Sequence, residues 1–298
     1  MKLVRQLKFH CLSLSRRFRA LAILLPGWKL PAAIGGACFG LFLVMSAFLY
    51  KSEKLVEEID FGELPDFAAY SDVNQMKAVF FDYLQPMVEY HNTQIVEQRQ
   101  TLQSIYQSLA ESKKWRSSDQ ELFTSLASQY DYELDLGWNE DIDEDITSHP
   151  FNRAYLQLML RVDEVPVDLA LVQAAKESGW GRSRFAIEAN NLFGQWCYTA
   201  GCGLVPSQRN DGTAHEVRKF ESVAQAIGSY INNLNSHSSY ETLRLIRGGL
   251  RSSGDSITGM PLADGLIYYS ERREAYVDEV KVMIQQYHDF QNSRPAGS

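Results

Sequence analysis

The sequence predicts a mainly α-helical protein with a small β-hairpin lobe and a single N-terminal transmembrane helix. Three observations lead there. Apolar residues recur at three- and four-residue steps through most of the chain. Glycines, a proline and β-prone residues gather in one stretch, 192–220. Residues 30–50, LPAAIGGACFGLFLVMSAFLY, contain no charge and approach the ~20 apolar residues that span a bilayer.

The N-terminal part is read first. Lys2, Arg5, Lys8, Arg16, Arg17, Arg19 and Lys29 precede the apolar run with no acid among them. The positive-inside rule places residues 1–29 in the cytoplasm as a basic tail and everything after the span outside it. No small-x-small cleavage site follows; the next residues are Lys51-Ser52-Glu53-Lys54. An uncleaved anchor is therefore favoured over a signal peptide. Residues 51–71 read as a tether, 72–292 as the main domain with an N-terminal helical extension, and 293–298 as a tail.

Within the main domain, Phe80, Leu84, Met87, Val88, Ile95 and Leu102 mark an amphipathic helical pattern. Pro86 interrupts it, predicting a kinked helix or a short helix followed by a long one. Ser118-Asp-Gln-Glu121 resembles a capping box, opening a helix with Leu122, Leu126 and Tyr130 on one face. The acidic stretch 132–145 reads as a solvated loop. A helix is expected at 151–160. Pro166 opens PVDLALVQAAKES, apolar nearly all round and so a buried central helix, ending at Gly179. Ser222 to Gln225 opens another helix, and 274–290 forms the last, with Tyr276, Val280 and Ile284 inward.

Composition narrows the function. The net charge is −8, yet residues 1–29 carry seven basic groups, so the remainder stands at −15. An acidic main domain argues against nucleic acid, because phosphate binding needs clustered Lys and Arg. No phosphate loop or nicotinamide fingerprint is visible, and no cofactor is implied. Of the four cysteines, Cys197 and Cys202 sit in QWCYTAGCG, where flanking glycines allow a tight turn. An oxidising compartment would join them as a disulfide, two free thiols being the alternative. A metal site is not expected, since His215 is the other soft ligand nearby and a closed zinc site needs four.

The candidate chemistry centres on AAKESGWGRSRFAIEANNLFG, residues 174–194. Glu177 falls in the last turn of the apolar helix, where burial and the negative end of the helix dipole both raise a carboxyl pKa. A carboxylic acid still protonated near neutral pH suits glycosidic cleavage, because the leaving oxygen must receive a proton. The plain alternative is an ordinary helix-end glutamate.

Glu-Ser-Gly-Trp-Gly at 177–181, followed by Asn190-Asn191-Leu192-Phe193-Gly194, resembles the signature of the glucosaminidase domains of glycoside hydrolase family 73. FESVAQAIGSY (220–230) and Tyr269-Ser270 with Tyr276 resemble later elements of that family, although Tyr268 stands where a glycine is usual. The Pro86 region, Trp115-Arg-Ser-Ser, Arg161-Val-Asp-x-x-Pro166 and the cysteine pair resemble the Bax-type branch in Gram-negative bacteria, so the likeness covers roughly residues 64–291. It implies a lysozyme-like α+β fold and a peptidoglycan substrate cut after N-acetylglucosamine by an endo-β-N-acetylglucosaminidase. The location implied is the inner membrane, with the catalytic domain periplasmic. In relatives the second acid lies in the β-lobe, where Asp211, Glu216 and Glu221 are available. Glu216 is favoured as the strand residue returning from Asn210-Asp211-Gly212, with an exposed strand position as the alternative. The substrate's own acetamido group would make a second acid unnecessary. By analogy the Tyr269 hydroxyl holds the acetamido group or stabilises charge near the reacting carbon, with core packing as the alternative. Ser178, Trp180, Asn191, Phe193, Trp196, Tyr230 and Tyr276 form the candidate substrate-binding set, of which Trp180 and Phe193 also suit the core and Asn191 a turn cap. Two other functions fit the same features: lytic transglycosylation, which uses one glutamate, and a glycan-binding or regulatory module that cuts little.

Overall fold

The structure is a computed structural model that describes residues 59, 61–136, 145–206 and 215–294. The expected anchor at 30–50, the basic tail and Asp211 lie outside these residues. Among the described residues, no helix is long and apolar enough to cross a membrane. The described helices and strands belong to one compact unit, Phe61–Ser298.

The unit is mainly helical, as expected. It opens with a 3-10 turn at Phe67–Ala69. Phe67 is buried in the core with Phe61 and Leu64 packed against it, so residues 61–70, expected in the tether, are part of the packed domain. Helix α1, Val73–Ser112, follows, capped by Asp72, whose carboxylate accepts from the Asn74 and Gln75 amides. Of the two alternatives at Pro86, a short helix followed by a long one is corrected: α1 is one 40-residue helix passing through the proline. Pro86 is exposed while Leu84, Met87 and Val88 are buried, so the apolar stripe continues past the lost backbone hydrogen bond and packing holds both halves in one helix.

Helix α2, Ser117–Gln129, has Arg116 at its N-cap with no side-chain cap bond, so the expected capping box does not form. Its inner face is Phe123, Leu126, Ala127 and the following Tyr130, while Leu122 is exposed. Helix α3, Pro150–Arg161, begins with proline, whose missing N–H costs nothing in a first turn. Helix α4, Val167–Ser178, is the central helix; every residue from Asp168 to Ala175 is buried. A short α5, Arg184–Ala189, leads to a three-stranded antiparallel sheet: β1 Trp196–Cys197, β2 Gly203–Leu204 and β3 Glu216–Arg218, in the order β1-β3-β2. Helix α6, Val223–Ser236, starts at the expected Ser222 cap, whose hydroxyl accepts from the Gln225 amide. Helices α7, Glu241–Ser253, α8, Gly259–Leu262, and α9, Glu274–Ser293, complete the unit.

The sequence reading passed over α7 because arginine stands where apolar residues mark a core. Arg244 and Arg247 are both buried. Arg247 donates to the backbone oxygens of Asp163, Glu164 and Leu160 and to Asn235 Oδ1. Asp163, also buried, accepts from Arg251 Nε at 2.7 Å and lies 3.3 Å from Arg99. Burial alone would raise the Asp163 pKa; the Arg251 hydrogen bond with Arg247 and Arg99 outweighs it and lowers the pKa. This cluster ties the α3–α4 connection to α1, α6 and α7, and so fixes where α4 starts.

Asp163→Ala leaves Arg247 buried without the charge that balanced it. Equilibrium urea unfolding should show a loss of about 3–5 kcal/mol; a loss under about 1 kcal/mol would contradict the cluster's assigned role.

Candidate active site

The run Glu-Ser-Gly-Trp-Gly ends α4 abruptly. Gly179, Trp180 and Gly181 all take positive φ, at 59°, 61° and 73°. The backbone N–H groups of Gly179 and Trp180 both return to the Ala175 carbonyl. Gly181 is needed for space as well as conformation: a methyl there would collide with the Phe67 ring. Trp180 lacks that freedom and is held by packing. Its ring lies edge-on between Phe80 and Phe81, 5.4 Å from each, with the Lys77 ammonium 5.3 Å away. Trp180 is thus held in the core by α1, the alternative to stacking on sugar. The expectation that Ser178 binds substrate is corrected. It is buried, donates to the Ala174 carbonyl and accepts from the Gly181 amide, so its hydroxyl is spent on the turn.

The turn leaves Glu177 as the last long side chain on the outer end of α4. The side chain is less buried than expected: Glu177 is exposed. Enough protein nevertheless surrounds the carboxyl that desolvation raises its pKa, with the Tyr276 hydrogen bond and the Lys176 charge pulling it part of the way back. Lys176 itself is drawn to Glu279 at 2.5 Å, which Arg272 also grips. Glu279 is thereby lowered to about 2, and the cation nearest Glu177 already has an anion.

Behind Glu177 runs a chain of hydrogen bonds through the core. Tyr230 OH donates to Gln173 Oε1 at 2.6 Å, Gln173 Nε2 donates to Tyr276 OH at 2.9 Å, and Tyr276 OH donates to Glu177 Oε1 at 2.8 Å. Phe193 stacks on Tyr230 with ring centres 3.9 Å apart, and its carbonyl accepts from Tyr269 OH. Tyr269 in turn stacks on Tyr276 at 5.3 Å. Tyr230, Tyr276, Tyr269 and Phe193 thus surround the acid from behind as one packed group. Asn191 is buried and shapes the turn, donating to the Gln195 and Arg218 carbonyls and accepting from the Gln195 amide. Gln173 was missed by the sequence reading. Its signal was present: a lone amide one helical turn before Glu177, within the apolar run Leu169–Ala175.

The β-lobe departs from expectation. Cys197 and Cys202 are joined by a disulfide. The sheet register sets Glu216 opposite Cys197, where the carboxylate is 7% exposed. One oxygen accepts from the Gly201 amide at 3.0 Å and the other from the Gly203 amide at 2.8 Å. Glu216 therefore clasps the disulfide loop, and its assignment as a catalytic acid is corrected on that ground. The cysteine sulfurs and Glu216 lie close enough to hold a metal, but the disulfide withdraws both thiolates. Trp196 is 55% exposed and stacks on His215 at 4.0 Å. Glu221 is exposed ahead of the Ser222 cap.

Residues 153–289 match the family model described as Glucosaminidase, mannosyl-glycoprotein endo-beta-N-acetylglucosaminidase. They form a glucosaminidase domain. The chain is also 28% identical to Protein bax of Escherichia coli (strain K12) over 225 residues, 75% of this chain and 74% of that protein. No solved structure matches. A glucosaminidase domain implies a glycan-degrading, glycoside-hydrolase-like role. The domain spans α3 to α9 and contains Glu177, the tyrosines and the β-lobe. Helices α1 and α2 precede it, yet α1 supplies the ring pocket for Trp180.

Two predictions follow from this geometry. Glu177 has a folded pKa above its unfolded value, so protonation favours the native state; that stability is full below the ordinary carboxylate range and is lost as pH rises through the raised value. Glu177→Gln should melt higher than wild type at about pH 8 and converge with it near about pH 4; equal melting temperatures at both would refute the shift. Glu216→Gln turns one acceptor into a donor facing an N–H. Amide exchange at Gly201 and Gly203 should quicken by the equivalent of about 1–3 kcal/mol while global stability holds.

Proposed function

We propose that this chain is a membrane-anchored peptidoglycan hydrolase of the endo-β-N-acetylglucosaminidase type, with Glu177 as the proton donor. In this reading residues 30–50 cross the inner membrane, the basic tail stays in the cytoplasm, and a lysozyme-like domain works on glycan strands in the periplasm. The disulfide suits an oxidising compartment. The acidic main domain suits a neutral glycan better than nucleic acid. The observation that carries the proposal is Glu177 itself: a carboxyl of raised pKa, open to solvent at a helix end, backed by Tyr276, within a glucosaminidase domain.

The acid works through Glu177 Oε2, since Oε1 is occupied by Tyr276. The proton on Oε2 passes to the glycosidic oxygen as its bond to C1 breaks. Positive charge then develops at C1, and the neighbouring acetamido oxygen of the sugar meets it. Water adds at C1, its proton returning to Glu177. Trp196, exposed and stacked on His215, offers an apolar face to a sugar ring. In this reading Tyr269, half-buried against Tyr276, serves the acetamido group.

One observation favours a second reading. With both Glu216 oxygens spent on backbone N–H groups, the site is better suited to chemistry that uses a single protein carboxyl. Lytic transglycosylation is such a chemistry: a hydroxyl of the same sugar attacks C1 in place of water, leaving an anhydro end. The two reactions differ in product mass by one water.

The full-length chain, Glu177→Gln and wild type, should be incubated with purified peptidoglycan and the released fragments weighed. Glu177→Gln should lose about 10²–10⁴-fold in release rate, and wild type should leave hydrated N-acetylglucosamine ends. Undiminished release by the variant removes Glu177 as the acid; anhydro ends select transglycosylation.

A further inference from the structure

We infer that Gln173 is a positioning residue whose amide sets the direction of the hydrogen-bond chain, holding the Tyr276 hydroxyl as a donor to Glu177 Oε1 and leaving Oε2 to carry the transferred proton. The inference rests on Glu177 being the proton donor.

Gln173 lies on α4 four residues before Glu177, and therefore on the same face, one turn deeper. It is 0% exposed, so water cannot replace either of its partners. An amide has one accepting and one donating end, and both are engaged. The oxygen takes the Tyr230 proton and the nitrogen gives a proton to the Tyr276 oxygen. A tyrosine hydroxyl has a single proton. With an N–H already directed at its oxygen from Gln173, Tyr276 can use that proton only outward, on Glu177. Direction in this chain is thus decided at Gln173, and Tyr230 locks the amide by supplying the one proton its oxygen accepts. The Phe193 ring stacked on Tyr230 fixes that tyrosine, which joins the Asn-Asn-Leu-Phe-Gly turn to the acid through a continuous set of contacts.

The consequence is chemical. A donor fixed on Oε1 stabilises the carboxylate that remains after proton transfer, opposing the desolvation that raises the Glu177 pKa. It also keeps Oε1 from bearing the acidic proton, so the proton resides on the oxygen not tied to the core. The other titratable and charged groups around Glu177 are Lys176 on α4, Tyr230 on α6, Tyr240 ahead of α7, Tyr269, and Glu279 on α9 with Arg272. Of these, Tyr230 is bonded to Gln173 and loses that acceptor when Gln173 is changed.

The test is the pH profile of kcat for the full-length protein on soluble peptidoglycan glycan strands, comparing wild type, Gln173→Met, Tyr276→Phe and the double variant. Gln173→Met should lower kcat by roughly 10- to 100-fold with KM within about twofold. Its alkaline limb, which reports ionisation of the acid, should move to higher pH, because the carboxylate has lost an oriented donor. Tyr276→Phe should move the limb in the same direction, and the double variant should move it no further, since both act through one hydrogen bond. A wild-type limb in Gln173→Met, or a shift that adds to that of Tyr276→Phe, overturns the inference. Tyr230→Phe is a milder second probe should the methionine variant not fold: it removes the lock, and an unshifted limb in it also overturns the inference. Glu177→Gln run alongside separates the two levels. If that variant is dead while the limb of Gln173→Met stays in place, the acid assignment stands and the role of Gln173 falls.

Discussion

The Trp180 ring between Phe80 and Phe81 is the contact on which the rest of the site depends. A residue with a side chain in left-handed backbone carries a cost of about 1–2 kcal/mol, and two edge-on aromatic contacts offset it at about 0.5–1.5 kcal/mol each. With that ring in place, α4 cannot continue past Ser178, and the chain turns back through Gly181 over Phe67. Glu177 is then the last long side chain before the reversal, at the mouth of a helix whose other end is buried. The helix that supplies Phe80 and Phe81 lies outside residues 153–289. The N-terminal extension is thus a structural part of the site rather than a spacer.

Two kinds of partly or wholly buried charge coexist in the unit, and they serve different ends. Asp163 is surrounded by arginines and hydrogen-bonded throughout, so its ionised form is the comfortable one and its pKa falls. Glu177 is desolvated without a matching cation, Lys176 being held by Glu279, so its neutral form is favoured and its pKa rises. The first arrangement stabilises the fold; the second costs stability while the carboxyl is charged. The same physical terms, weighed differently by the number of facing guanidinium groups, separate a carboxyl whose charged form is favoured from one whose neutral form is.

The β-lobe shows how register overrides residue type. Glu216 is an acid on a short strand near the candidate acid in sequence order, which is the pattern expected of a second catalytic carboxyl. Pairing with β1 sets it opposite Cys197, under the amides of Gly201 and Gly203. A carboxylate accepting two backbone N–H groups is a fastener. Together with the disulfide it makes a stiff base from which Trp196 and Tyr198 project into solvent.

Much of this architecture was legible in the residues alone. The apolar run from Leu169 to Ala175 could only be a buried helix, Gly179 marked its end, and Ser222 with Gln225 marked the start of α6, because periodicity and capping are local properties of the chain. The position of Glu177 at a helix terminus was equally local. What the sequence left open was every property that depends on which surfaces meet. Pro86 did not break α1, because packing on both sides of it outweighs one missing hydrogen bond. Helix α7 escaped notice because its buried arginines point into carbonyl groups contributed from elsewhere in the chain. Trp180 and Ser178 read as ligands for a sugar until α1 and the turn claimed them, and Gln173 went unnoticed until Tyr230 and Tyr276 closed on its two ends. The sequence determined most of the helices and the acid at the end of one of them; tertiary structure alone decided the partners of each polar group, because hydrogen bonds between residues a hundred positions apart leave no periodic trace in the chain.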